Sequence, residues 1–305
     1  MTQRAPTAPT KVVYVMGAGR SGSTILGVCL GNCEDFFFAG ELEEWLLRAD
    51  GPRWAGGERQ RFWEQVRERV VGGEGLFGGR ANRCIERSSA ALRPDLWPAR
   101  WRMRKAYRRV AEELVEAVSD VARARYVIDS SHFPLRAREL RASKEIELYL
   151  IYLVRDPRAV LASNLRELSP HEVAERRWRT LKLNADLWLT QLVCALVFLR
   201  QPRERRMLVR HEDFLADPEG VLLQILAMTG AKVKLPDLSS LRVGAPLQAN
   251  RLIRAETVSV KRGAAAERTP RSALTSLLQA PWRPALRRLK PAATATRERR
   301  EAREA

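Results

Sequence analysis

The chain has 305 residues, 45% hydrophobic and 30% charged, with a formal net charge of +18. That length and apolar share predict a folded core and exclude both a disordered polyampholyte and a small disulfide scaffold. No uncharged apolar run reaches the ~18 residues of a bilayer span, the best candidate (Leu187 to Leu199) being interrupted by Thr190 and Gln191, so no membrane span is expected. The four cysteines, Cys29, Cys33, Cys84 and Cys194, show no metal-ligand spacing, and the first ten residues hold no apolar stretch; a reduced, cytoplasmic setting is the expectation. The cations are mostly arginine, with lysine at eight positions, and are spread along the chain. Spread charge suits solvated helix faces, or steering of an acidic cofactor or acceptor. Nucleic-acid binding would need clustered base with a reading element, and only residues 97–109, WPARWRMRKAYRR, form a basic aromatic cluster.

In chain order, residues 1–10 read as a disordered tail. Val12 to Met16 is an unbroken apolar run, the pattern of a strand buried on both faces. GAGRSGST follows from Gly17 to Thr24, and ILGVCL then restores helical spacing. A strand, a glycine-rich turn and a helix start gather backbone N–H groups around one point, where the helix dipole also favours negative charge. This is a phosphate cradle. It departs from the Walker A pattern, G-x-x-x-x-G-K-[ST], in placing Ser23 where the lysine belongs; the nearest cation is Arg20, inside the loop. A triphosphate site without that lysine lacks its main charge clamp, so ordinary ATPase or kinase chemistry is disfavoured.

EDFFFA (34–39) reads as a second strand, after which Gly40-Glu41 stands where open parallel sheets place their ligands. Residues 48–124 read as a helical insertion, with a helix in 58–70 and a longer one from Arg100 to Val121, and with Trp54, Trp63, Trp97 and Trp101 as core anchors. ARYVIDSS is a strand ending in polar residues, and the helix after it carries an exposed basic face. ELYLIYLV (147–154) is the most strand-like run and leads into RDPRAVLASNLREL, with Pro157 at a first-turn position. Residues 171–200 carry one or two helices, with Trp178, Leu181, Leu187, Leu192 and Leu196 as expected buried positions. Arg206 to Val209 is a last strand, followed by an acidic turn and a helix stopped by Gly230. The order predicts an α/β fold: a three-layer, P-loop-type parallel sheet with helices on both faces and a helical insertion after the second strand. The domain is expected over 11–290, with a charged tail at 291–305.

Two stretches carry a resemblance. GAGRSGST resembles the 5′-phosphosulfate loop of sulfotransferases that use 3′-phosphoadenylyl sulfate (PAPS). VRDPRAVLAS, from Val154 to Ser163, resembles their 3′-phosphate motif, in which an arginine and a serine eight residues later hold that phosphate; Arg155 and Ser163 stand at this separation. HEDFLADPE, from His211, is similar to a structural acidic segment of the family. The resemblance implies PAPS as donor and PAP as product, with Gly19, Arg20, Ser21, Gly22, Ser23, Thr24, Arg155 and Ser163 as cofactor-binding residues and no metal. Gly40-Glu41 is similar in context to the Gly-Glu whose carboxylate is the general base in the tyrosylprotein and some bacterial branches. Cytosolic small-molecule members instead use a histidine for this step and a lysine where Arg20 stands. Catalysis is therefore expected from Glu41 and Arg20. In DSSHFP, His132 lies where relatives often carry a lysine near the leaving group, and Arg251, Lys261 and Arg262 are candidates for the 3′-phosphate. The implied acceptor is a small molecule, glycan or lipid with a hydroxyl group; no nucleic acid is expected, and the oligomeric state is left open. Two alternatives remain at this stage: a P-loop kinase-like phosphotransferase, and a non-enzymatic binder of polyanions or nucleic acid.

Overall fold

The computed structural model describes residues 9–48, 57–73, 75–165, 173–247, 255–260 and 273–289. Five strands form one parallel sheet: β1 (Thr10–Gly17), β2 (Phe36–Gly40), β3 (Tyr126–His132), β4 (Ile146–Val154) and β5 (Arg206–Arg210), in the order β2-β3-β1-β4-β5. The two longest apolar runs, β1 and β4, lie side by side at the centre, from Thr10 opposite Ile146 to Gly17 opposite Leu153.

The two-residue period of a strand divides these runs between two cores. Val12, Tyr14 and Met16 face one, with Leu148, Leu150 and Tyr152; Val13 and Val15 face the other, with Tyr149, Ile151 and Leu153. The first core is covered by α2 (Glu58–Arg67), α3 (Trp97–Ala122), α4 (Pro134–Arg141) and α6 (Val173–Arg200). The second is covered by α1 (Ser23–Gly31), α7 (His211–Ala216) and α8 (Pro218–Thr229). The expected three layers and the helical segment after the second strand are present. Cys29 and Cys33 are buried in the second core, and all four cysteines are free thiols.

Three expectations need correction. On α6 one buried stripe runs through Asn184, Leu187, Gln191, Cys194 and Phe198 at spacings of three and four, with Val193 and Val197 buried beside it. Two of those positions are polar, so an apolar count skips them; Trp178, Leu181 and Leu196 face outward, while Leu187 is buried as expected. Gln279 Nε2 donates to Asn184 Oδ1 at 3.1 Å, which gives the buried Asn184 side-chain carbonyl oxygen a partner. The segment Trp178–Arg200 is also long and apolar enough, by length and composition alone, to cross a membrane; in this fold its Val193, Cys194, Val197 and Phe198 join the first core. Trp63 is a core anchor, but Trp97 and Trp101 are exposed and Trp54 lies outside the described residues. Finally, α4 does not present all its arginines to solvent: Arg136 is buried.

Beyond α8, where no strand was expected, Leu241–Arg242 and Thr257–Val258 form a two-residue antiparallel ladder, β6 and β7. The chain around β6 is tied down by Asn32, whose side chain exchanges two hydrogen bonds with Arg242, and by the Leu247 N–H, which donates to the Ala39 carbonyl beside the end of β2.

Candidate functional site

Because all five strands are parallel, their carboxyl ends meet at one mouth, and β1 lies where the chain's strand order reverses. The cradle follows β1. Gly17 passes so close to β4 that a Cβ there would lie 2.2 Å from the Leu153 carbonyl oxygen. Arg20 takes a positive φ of 67°, uncommon for a side chain of its size. Gly22, at φ 92°, caps α1 without any side-chain acceptor, so the first-turn N–H groups of Ser23 and Thr24 carry no intrahelical partner. Ser21 is 1% exposed, and its hydroxyl has no hydrogen-bond partner among the described residues.

From the other side of β1, Arg155 leaves the end of β4 and its Nη1 donates to the Arg20 carbonyl at 2.8 Å. The two motifs picked out by sequence are therefore in contact. The following α5 (Pro157–Leu165) carries Ser163, half-buried, in its seventh position. Asp156 is braced by Arg158 at 2.6 Å, and its N–H is taken by Glu212 at 2.8 Å. His211, next to Glu212, lies against the open face of Gly22, its Nδ1 2.4 Å from where a Cβ would stand. That Nδ1 is buried and has no partner among the described residues. Burial, and then the positive charge of Arg155, push the His211 pKa down to about 4, so the ring is neutral at physiological pH. Sequence reading gave His211 no role; its signal was positional, since Val154 pairs with Arg210 and the next residues of both strands meet at the cradle.

Glu41 directly follows β2 and is half-buried. Burial raises its pKa to about 7, the charges of Glu44 and Asp129 push the same way, and Arg20 opposes them. Arg20 and Glu41 thus act within one electrostatic field. The segment carrying Glu41 is anchored by Ser131, whose hydroxyl accepts from the Glu43 N–H at 3.1 Å. Ser131 is held in turn by Asp129, which accepts from both its N–H and its hydroxyl.

Asp129 is fully buried and paired with Arg136 at 3.0 Å. Arg136 also meets Glu86 at 3.2 Å and the Tyr107 hydroxyl at 2.7 Å, and Tyr107 donates to Glu86 at 2.6 Å. This network joins the segment between β2 and β3 to the floor of the site. Breaking a buried pair strands an uncompensated charge. Arg136→Ala is therefore expected to lower stability by about 3–5 kcal/mol, read by denaturant unfolding, where a loss below about 1 kcal/mol would contradict the assignment.

His132 closes β3 at a positive φ of 53°, and burial lowers its pKa. With Gly17, Ala18 and Gly19 it lines a cavity of about 530 Å³ that extends between Val160 and Leu161 of α5 and Leu183 and Leu187 of α6. Two of the four non-glycine residues with positive φ among those described, Arg20 and His132, thus stand at this mouth. Such strain concentrates at working sites. No group of acidic, histidine and cysteine side chains able to hold a metal occurs among the described residues. Arg251, Lys261 and Arg262 lie outside the described residues.

The basic aromatic cluster at the start of α3 is largely occupied by the protein's own groups. Arg100 bonds the Cys84 and Ala90 carbonyls, Arg104 and Arg108 pair with Glu139, and Arg109 pairs with Glu113. It is not a free stripe of cations.

Comparison with known proteins bears on the family alone. A model described as the sulfotransferase family matches residues 13–234. Among solved structures, the sulfotransferase domain from the curacin biosynthetic pathway is similar at 17% identity and a TM-score of 0.49, covering 90% of this chain and 98% of that one. The sulfotransferase domain of the Synechococcus PCC 7002 olefin synthase aligns at 18% identity and a TM-score of 0.49, over 92% and 97% of the two chains. Sulfotransferase STF1 from Mycobacterium tuberculosis H37Rv aligns at 17% identity and a TM-score of 0.42, over 74% and 68%. A search of curated proteins finds no match.

Proposed function

We propose, for a chain that belongs to the sulfotransferase family, that it transfers a sulfuryl group from PAPS to an acceptor hydroxyl, with Glu41 as general base. The observation that carries this reading is the contact between Arg155 and the Arg20 carbonyl, which puts the two anion motifs at one mouth. The cradle suits an anion: it ends in uncapped helix N–H groups, and the buried Ser21 hydroxyl beside it lacks a protein partner among the described residues.

When bound, PAPS supplies an electrophilic sulfur and PAP as the leaving group. The N–H groups of Gly22, Ser23 and Thr24, with the Thr24 hydroxyl, hold the 5′-phosphate; Gly19 and Ser21 shape the loop. Arg155 and Ser163 hold the 3′-phosphate, a task Arg262 would share. Glu41 would take the proton of the acceptor hydroxyl. Arg20 would stabilise the negative charge left on the departing PAP. Transfer needs the two oxygens and the sulfur in line, so positioning does most of the work and fixed cations replace a metal.

The acceptor is proposed to be a small molecule, glycan or lipid bearing a hydroxyl, selected by the segment at 48–124. A reduced, cytoplasmic setting is part of the same proposal. Incubation with ³⁵S-labelled PAPS and a metabolite extract is expected to yield a labelled organic product and PAP in equal amounts. Labelled inorganic sulfate alone would point to hydrolysis instead.

A further inference from the structure

The two phosphate motifs belong to different strands, and each touches the start of α7. His211 packs against Gly22, the turn of the glycine-rich loop, closer than any Cβ would allow. Glu212, its neighbour, accepts the Asp156 N–H at 2.8 Å, next to Arg155. Arg155 closes the triangle by donating to Arg20 in the loop. β5 delivers this pair to the right place because its last residue, Arg210, is in register with Val154. His211 is only 9% exposed, so the wedge is built into the core and is not a surface contact.

We propose that His211 and Glu212 form a strut that fixes the distance between the 5′- and 3′-phosphate pockets, acting as positioning residues for a nucleotide carrying phosphates at both ends. The inference rests on the two-pocket reading given above. A ligand that fills both pockets gains from their fixed separation, because its second contact is intramolecular. A ligand with one phosphate gains nothing from it. The strut therefore discriminates by ligand length, a property that general damage to the cradle would not share.

Calorimetric titration with PAP and with 5′-AMP tests this directly. Glu212→Ala and His211→Ala are each expected to weaken PAP about tenfold while changing 5′-AMP by less than about twofold. Glu212→Gln keeps an acceptor oxygen for the Asp156 N–H and is expected to bind PAP like the parent chain, which separates loss of the contact from loss of fold. Equal loss for both nucleotides, or no loss of PAP in either alanine variant, would overturn the strut. A parent chain that binds PAP no better than 5′-AMP would instead refute the two-pocket reading on which it stands.

Discussion

Glu41→Gln is expected to lower turnover by about 10²–10⁴ while leaving PAP affinity almost unchanged. The substitution keeps the size and hydrogen-bonding reach of the side chain and removes only its capacity to accept the acceptor's proton. The physical basis is the environment at the end of β2. An exposed carboxylate titrates near 4.5, too weak a base to take a hydroxyl proton efficiently at neutral pH, whereas burial beside Glu44 and Asp129 raises Glu41 to about 7. Activity of the parent chain is accordingly expected to rise with pH through about 7, as the base form appears.

The same shift has a stability counterpart of opposite sense. Folding favours the protonated form of Glu41, so its placement is tolerated below about pH 4.5 and increasingly opposes folding as pH rises through about 7. Glu41→Gln removes that penalty. Its melting temperature should exceed that of the parent chain at pH 8.5, with the gap narrowing toward pH 5. A variant that turns over normally, or one destabilised more at high pH than at low, would show that Glu41 is not a buried base.

Arg155→Ala is expected to weaken PAP binding ten- to a hundredfold. A hydrogen bond to a charged group contributes roughly 1.5–3 kcal/mol, and a planar guanidinium can present two donors to one phosphate. The residue also ties the 3′-phosphate motif to the loop through the Arg20 carbonyl, so part of the loss would come from the cradle relaxing. Arg155→Lys restores charge without the fork and should recover only part of the affinity. If Arg155→Ala binds PAP as the parent does, the 3′-phosphate assignment fails.

Much of the fold, and of where the candidate site lies, was legible because backbone demands are written locally. The apolar runs of β1 and β4 announce central strands, and glycines at 17 and 22 announce a turn that no bulkier residue fits. The spacing of Arg155 and Ser163 pointed to one helix entrance. What stayed hidden is long-range and polar. Arg136 looks like one more surface arginine until Asp129, Glu86 and Tyr107 are brought around it. His211 stands 189 positions beyond Gly22, and only strand register makes them neighbours. On α6 the period was present in the sequence, but Asn184 and Gln191 hold two of its buried positions, so counting leucines chose the wrong face.

The central claim is that a cradle lacking the P-loop lysine serves a nucleotide with a 3′-phosphate and not a metal-bound triphosphate. Calorimetry of the parent chain with PAP and with ATP plus Mg²⁺ tests it most directly. The account predicts that PAP binds at least about tenfold more tightly, with no requirement for Mg²⁺. Tighter binding of ATP with Mg²⁺ would contradict it and favour phosphoryl transfer.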